Sequence, residues 1–178
     1  MKTPCAQFVI SSLVFLLIHV QVQSQNPTYR LTVSSGGNIE FKVYSFHHYE
    51  NGIDYLDMTH LEIIYTDTTA GPHENEWYLG VKTQDDAFYS SYPGQTLDLS
   101  YVTLEASDGG GDFAFNSGEI TSGEITLSST NYALLVSEGD VGRYRLNLTY
   151  HLDSITGNAP GFYNTNLLFK MDTVAPPW

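Results

Sequence analysis

Residues 143–151 read RYRLNLTYH, and they decide the fold because apolar and polar side chains alternate along the whole segment. Apolar residues occupy the even positions from 144 to 150, and polar residues occupy the odd positions. A period of two directs one set of side chains toward a core and the other toward water, as in a strand of an antiparallel sheet. The segment therefore predicts a half-buried β-strand.

The same alternation recurs elsewhere in the chain, and glycine-rich sequences separate the alternating runs. Ser35-Gly36-Gly37-Asn38 and Asn51-Gly52 are two of these predicted turns. No segment keeps a helical period for more than about two turns. This pattern predicts an all-β protein, a single antiparallel β-sandwich of Ig-like type with about nine strands. The predicted strands cover residues 29–33, 39–43, 61–65, 77–81, 97–102, 124–127, 132–136, 144–150 and 163–171.

Composition excludes several classes of protein. The 178 residues include 20 acidic and 7 basic side chains, a formal net charge of −13. Phosphate backbones would repel such a chain, so we predict no nucleic-acid partner. The 13 tyrosines and 9 phenylalanines argue against intrinsic disorder. No nucleotide-binding loop, nucleophile elbow or dinucleotide fingerprint occurs, so we predict no enzyme activity and no cofactor.

The first 24 residues are typical of a secretion signal. Lys2 precedes the apolar run Phe8–Val20, which is shorter than the roughly 20 residues that a transmembrane helix needs. Val22-Gln23-Ser24 offers small side chains near a cleavage point. We predict that residues 1–24 are removed and that residues 25–178 form one domain that does not span a membrane. The domain would be extracellular, at the cell surface or in a periplasm. The alternative is an uncleaved N-terminal anchor.

Neither thiols nor histidines point to a metal site. The single cysteine, Cys5, lies inside the predicted signal, so the mature domain would contain no disulfide and no thiolate ligand. His47 and His48 follow a predicted strand, where neighbouring side chains point to opposite faces and cannot bind one ion together. His60 and His73 complete no better set of ligands. We therefore predict no metal site of this kind.

Acidic turns provide weak calcium candidates. Asp85 and Asp86 form one pair, and Asp108 and Asp112 flank a glycine triplet in a predicted loop. Carboxylate and backbone oxygens are the ligands that Ca²⁺ prefers, but a calcium loop needs acids at alternating positions and a closing bidentate acid. Neither sequence has that spacing, and aspartate and glycine are also ordinary turn residues. Solvated turns remain the simpler interpretation.

Aromatic side chains are the more informative candidates for a binding site. Several of them fall in predicted loops or on the polar phase of predicted strands, Phe162 among them. Exposed rings stack on sugar faces or anchor protein contacts. The alternative is that they fill half-buried positions at the rims of the sheets. The candidate binding residues are Trp77, Tyr78, Phe88, Tyr89 and Tyr92.

Two predicted strands open with the pattern Gly-x-Tyr, at Gly142-Arg143-Tyr144 and at Gly161-Phe162-Tyr163. The second follows Ala159-Pro160 and continues as the alternating run Asn164–Met171. It resembles the last strand of secreted bacterial surface β-sandwiches, the spore-coat-protein-U-like and pilin-like subunits. The similarity covers roughly residues 38–171 and includes the alternating positions Ile39, Phe41 and Val43, the run Tyr49–Ile53, the pair Leu61 and Ile63, and Trp77, Leu79 and Val81.

This resemblance implies a pilin-like sandwich with an extracellular structural or adhesive role. Pilin subunits of the chaperone–usher kind often carry a disulfide, which residues 25–178 lack. Strand exchange between such subunits needs an N-terminal extension with alternating apolar residues. Tyr29, Leu31 and Val33 have that period, although they could equally form the first strand of the domain itself.

We therefore predict a secreted, non-enzymatic structural or assembly protein of the cell surface, a subunit of a surface layer, filament or adhesin. It would act through strand-edge or face association, with itself or with another protein. The alternative is a module that binds a glycan or a protein with the candidate aromatics and the acidic loops. The C-terminal segment after Thr173 contains two prolines, so we expect a frayed or loosely docked end.

Overall fold

Two antiparallel β-sheets pack face to face in the computed structural model, which describes residues 27–67, 76–112, 114–175 and 177–178. The predicted β-sandwich is confirmed. The predicted signal at residues 1–24 and His73 lie outside the described residues. The elements are β1 (Thr28–Ser35), β2 (Asn38–Val43), α1 (Phe46–Asn51), β3 (Ile53–Thr66), β4 (Trp77–Thr83), β5 (Ala87–Ser90), β6 (Thr96–Asp98), β7 (Val102–Gly111), β8 (Ile125–Thr126), β9 (Ala133–Gly139), β10 (Gly142–Leu152) and β11 (Gly161–Asp172).

The first sheet has the strand order β1-β3-β10-β7-β8, and every neighbouring pair is antiparallel. The second sheet is built around β11. There β2 pairs with residues 161–166, β5 with residues 163–164, and β4 with residues 167–172. Outside these strands, β6 pairs with β5 and β9 pairs with β4. Within the described ranges, no helix has the length and apolar character needed to cross a bilayer.

The segment RYRLNLTYH becomes the centre of β10, as its alternation predicts. Leu146 and Leu148 are fully buried between the sheets, and β10 has a strand partner on both sides. Burying a leucine side chain completely stabilises the fold by roughly 1.5–3 kcal/mol. The opposite phase of β10, which includes Arg145 and His151, lies on the outer face of the first sheet. The two phases of one strand thus supply core and surface.

One end of the core is an aromatic cluster around a completely buried tryptophan. The Trp77 ring lies 5.8 Å from that of Tyr144 and 6.3 Å from that of Phe115, and the latter two rings stack at 4.7 Å. The Trp77 indole donates a hydrogen bond to the carbonyl oxygen of Asp140 at 2.7 Å. A Cβ atom on Gly139 would lie only 2.3 Å from the indole ring. Glycine at position 139 is therefore what allows the ring to lie against β9.

The chain crosses from the first sheet to the second between β1 and β2, and hydrogen bonds hold this crossing. Gly36 has φ +68°, and a Cβ atom there would lie 2.5 Å from the carbonyl oxygen of Met58. Tyr150 donates a hydrogen bond to the Thr59 hydroxyl at 2.7 Å, and Thr59 donates in turn to the Gly36 carbonyl. This buried chain of bonds fixes β1 and β2 along one side of the sandwich.

The structure departs from the predicted strands where turn signals compete with alternation. The predicted strand at 97–102 is interrupted by a 3-10 turn, Leu99–Tyr101, because the Asp98 carboxylate accepts a hydrogen bond from the Ser100 amide at 2.8 Å. His47 and His48 lie in α1 and not on a strand, since the Ser45 hydroxyl accepts from the His48 amide and caps a helix.

The predicted loop around the glycine triplet is also wrong. Asp108 pairs with Leu146, and Gly111 pairs with Tyr144, so β7 continues through the glycines as far as residue 111. The pairing is irregular between these two positions, which is consistent with a β-bulge. Glycine accommodates the positive φ of +76° at Gly110. The sequence that reads as a turn is therefore the irregular end of a strand.

Candidate functional site

The five candidate aromatics do not form one surface. Trp77 and Phe88 are fully buried, so neither ring can stack on a ligand, and their assignment to a binding surface is corrected. Tyr78 is half-buried, and its hydroxyl donates a hydrogen bond to the Glu76 carboxylate at 3.4 Å. Only Tyr89 and Tyr92 are exposed, at 47% and 55%.

Phe88 is buried because the chain changes phase just before β5. In β4 the buried side chains occupy odd positions, whereas in β5 the buried position is even. β4 and β5 pair with β11 in different registers. Leu167 is paired with Thr83, and an unchanged register would pair Tyr163 with residue 87, but Tyr163 is paired with Ser90. The three residues of the turn at 84–86 account for this shift. The alternation of one strand therefore does not carry over to the next.

Exposed aromatic rings gather instead at the end of the sandwich where β11 begins. Gly161 at the start of β11 lies against Tyr92, and the Phe162 carbonyl accepts a hydrogen bond from the Ser91 amide at 2.9 Å. Tyr44 and Phe46 border a shallow cavity of about 330 Å³ next to Pro160. We call the following residues the aromatic end, with their exposed fractions: Tyr44 (74%), Phe46 (73%), Tyr89 (47%), Tyr92 (55%) and Phe162 (40%).

The helix α1 holds two of these rings outward. The Tyr44 ring packs against the His48 ring edge to face, with centroids 4.9 Å apart. Gly52 ends the helix with φ +79°, and its amide donates to the His48 carbonyl at 3.1 Å. Sequence reasoning missed Tyr44 and Phe46. The available signal was Ser45, a favoured N-cap residue placed two positions after Val43, the end of β2.

A second candidate surface lies at the edge strand β1. Tyr29, Leu31 and Val33 pair with Tyr65, Ile63 and Leu61 of β3, and paired residues of antiparallel strands project from the same face. The three β3 residues are at most 1% exposed. In β1, however, Tyr29 is 54% and Val33 41% exposed, while Leu31 is half-buried. This apolar row therefore faces the core side of the sheet but is only partly covered, because Leu31 packs against the core while Tyr29 and Val33 remain exposed.

The second sheet is open on the same side of the sandwich. The Leu167 amide donates to the Gly37 carbonyl, where β2 begins, and the pairing of β2 with β11 extends no further than residue 166. From residue 168 onward, this edge of β11 has no strand partner among the described residues. We call the row Tyr29, Leu31 and Val33, together with this edge of β11, the open side. The segment predicted for strand exchange thus forms an edge strand of its own domain.

Two of the four calcium candidates, Asp108 and Asp112, have other partners for their carboxylates. The Asp108 carboxylate accepts a hydrogen bond from the Gly110 amide at 2.8 Å, and Asp112 lies 3.8 Å from the Arg143 guanidinium. The Thr83 hydroxyl donates to the backbone carbonyl of Asp85, next to Asp86. In the described part of the chain, no three histidine, cysteine or acidic side chains gather as metal ligands would. Asp108 and Asp112 lie near the start of β10, opposite the aromatic end.

Compared with known proteins, the chain matches no family model and no curated protein sequence.

Proposed function

We propose that this chain is a secreted, non-enzymatic protein of the cell surface that assembles with copies of itself at the open side. The observation that carries the proposal is the only partly covered apolar row on the core-facing side of β1. Residues at this position in a sandwich are normally covered by the opposite sheet. A strand from a second copy would pair with the free edge of β11 and cover the row.

Strand association supplies both affinity and register. Backbone hydrogen bonds along an exposed edge hold an added strand, and pockets for alternate side chains select its register. The open side has few devices that prevent pairing, because β1 contains no proline and only one charged residue, Arg30. The two charged residues in the free part of β11, Lys170 and Asp172, form an ion pair with each other. The net charge of −13 makes copies repel elsewhere, which favours contact at the open side, where acidic residues are not in excess.

A pair of lysine variants tests the proposal. Val33→Lys places a charge in the apolar row, and we expect the dissociation constant for self-association to rise by at least about tenfold, or about 1.4 kcal/mol. Thr32→Lys is the matched control, because Thr32 is paired with Glu62 and projects from the opposite, polar face of the same strand. Sedimentation equilibrium measures the dissociation constant of each variant. Because salt screens the repulsion between acidic copies, added salt should strengthen association of the wild type.

Two results would count against self-assembly at this side. One is a wild-type protein that remains monomeric at all concentrations and salt levels tested. The other is an equal loss of association in both lysine variants, because that would point to net charge and not to the apolar row.

A second candidate function has its own supporting observation, the five exposed rings of the aromatic end. Exposed aromatic residues anchor protein contacts and stack on sugar faces, so the domain could bind a glycan or a protein partner there. The acidic residues Asp108 and Asp112 would not take part, because they lie at the other end of β10.

The variant Phe46→Ser tests this second function. The side chain is 73% exposed, so we expect the stability of the fold to change by no more than about 0.5 kcal/mol. Binding to a glycan array in the presence of Ca²⁺, or to an extracellular partner, should fall. Phe41→Ser, in the buried core, is the contrasting variant and should lower stability instead. Wild-type protein that binds nothing on the array would contradict the carbohydrate form of this function.

A further inference from the structure

A groove of about 560 Å³ lies on the outer face of the first sheet. It lies on the face opposite the core and is separate from the aromatic end. Strands β1, β3, β7 and β10 all contribute to its lining. Its polar side chains come from His60 and Glu62 of β3 and from Arg145 and Asn147 of β10, with Ser34 of β1 at the edge.

A glycine opens the groove on the side of β7. A Cβ atom on Gly109 would lie 2.7 Å from the Asn147 side-chain oxygen and 3.2 Å from the Cβ atom of Arg145. No side chain therefore occupies this position of the sheet, and the β10 side chains stand beside a depression. Gly109, in the glycine sequence that resembles a turn, thus has a structural role because it leaves space for the groove.

One arginine in the groove forms no close ion pair. All three arginines of the chain lie on this sheet face, at positions 30, 143 and 145. Arg143 forms a hydrogen-bonded ion pair with Glu62, which lowers the pKa of that carboxyl, and Arg30 lies 3.6 Å from the same carboxylate. Arg145, which is paired in register with Glu62, also helps to lower this pKa through its charge, but it forms no ion pair or hydrogen bond with any described residue. The hydrogen-bond donors of its guanidinium are therefore available for a ligand.

The neighbouring histidine and amide are held in a fixed arrangement. The His60 Nδ1 atom and the Asn147 Oδ1 atom are 2.7 Å apart. Because Oδ1 can only accept, His60 donates through Nδ1, and a histidine that donates through Nδ1 has an acceptor at Nε2 whenever the ring is neutral. The Asn147 amide nitrogen keeps its donor hydrogens. The guanidinium of Arg145, which forms no hydrogen bond with a described residue, therefore shares the groove with one acceptor and one set of donors.

We propose that this groove binds an acidic saccharide, with its carboxylate on Arg145 and its hydroxyl groups on His60 and Asn147. The planar guanidinium matches a carboxylate with two parallel hydrogen bonds. Sugar hydroxyls both donate and accept, which suits the acceptor on His60 and the donors on Asn147. This ligand class follows from the groove alone and does not depend on self-assembly at the open side.

Titration of the protein with D-glucuronate tests the proposal, with D-glucose and acetate as matched probes. Nuclear magnetic resonance would follow the backbone amides of Gly109, Arg145 and Asn147. We expect D-glucuronate to cause saturable shifts confined to the groove, with at least about tenfold weaker responses to D-glucose and to acetate. Acetate binding as strong as that of D-glucuronate would overturn the saccharide class, and absence of saturable shifts would overturn the site.

Two arginine variants separate the site from general charge effects. Arg145→Ala should weaken D-glucuronate binding at least about tenfold. Arg30→Ala removes the same charge from the same sheet face but does not line the groove, so binding should remain close to that of the wild type. Equal weakening in both variants would overturn the proposal. An unchanged spectrum outside the groove verifies that each variant is folded.

Discussion

At the scale of single residues, the close contact between the indole of Trp77 and Gly139 leaves no room for a side chain at position 139. The alternating pattern places Trp77 on the inward phase of its strand, and the structure shows the ring completely buried. The pattern could not reveal why β9 ends in a glycine, because the close approach joins residues that are distant in sequence. Trp77 cannot serve as the exposed binding residue that its aromatic character suggested, because its ring is buried between the two sheets.

Replacement of this glycine is expected to destabilise the protein. In Gly139→Ala, the new methyl group would overlap the indole ring, and overpacking of a core typically costs about 1–3 kcal/mol. Urea unfolding measures the loss. Gly37→Ala is the control, because a Cβ atom there meets Val33 at an ordinary 3.6 Å and the change should be nearly neutral. Equal stability of the two variants would contradict the packing described for Trp77.

At the scale of elements, the long strands were predictable and the irregular ones were not. Strands β10 and β11 could be predicted from their uninterrupted alternation, because the buried residues of each strand occupy a single phase from end to end. The prediction failed at β5, where a turn shifts the phase, and at β7, where glycines continue a strand. It also missed α1, because a six-residue helix is too short to show a period.

Of the two outcomes expected for the C-terminal segment, frayed or loosely docked, the contacts of Trp178 fit the docked one. Trp178 is half-buried, and a Cβ atom on Gly80 would lie 2.6 Å from its ring. Lys170 lies over the indole at 4.7 Å, and Tyr132 packs against it edge to face at 5.8 Å. The aromatic ring of Trp178 thus packs on the outer face of β4 and β11. A missing side chain at Gly80 provides the space.

The edge strand β1 was only partly predictable from the sequence. The alternation of Tyr29, Leu31 and Val33 indicated a strand that could pair with another strand. Whether the row lies under the opposite sheet depends on how far β2 extends along β11, which no local pattern reports. The exposed row and the free edge of β11 therefore emerge only when both sheets are seen together.

At the scale of the whole molecule, buried tyrosines link stability to alkaline pH. Burial raises the pKa values of Tyr65, Tyr150 and Tyr163, and it raises that of Tyr144 to about 12. Above the ordinary tyrosine pKa of about 10, the unfolded chain loses protons that the folded chain keeps. The unfolded state then binds fewer protons, so stability decreases as pH rises.

Urea unfolding at about pH 9 and at about pH 11 tests this link, because the two values bracket the ordinary tyrosine pKa. We expect a lower midpoint at the higher pH. In Tyr144→Phe the decrease should be smaller, since one of the buried hydroxyls has been removed. An identical decrease in the variant and the wild type would show that Tyr144 does not contribute.

Association of two copies through the open side would protect the backbone amides of that side from exchange with solvent. Hydrogen exchange followed by mass spectrometry, at low and at high protein concentration, measures this protection because exchange reports on local opening. We expect peptides covering Thr28–Ser35 and the second half of β11 to exchange more slowly at high concentration, while those of α1 do not change. Exchange in these two segments that is independent of concentration, in a sample shown to be oligomeric, would rule out association through the open side.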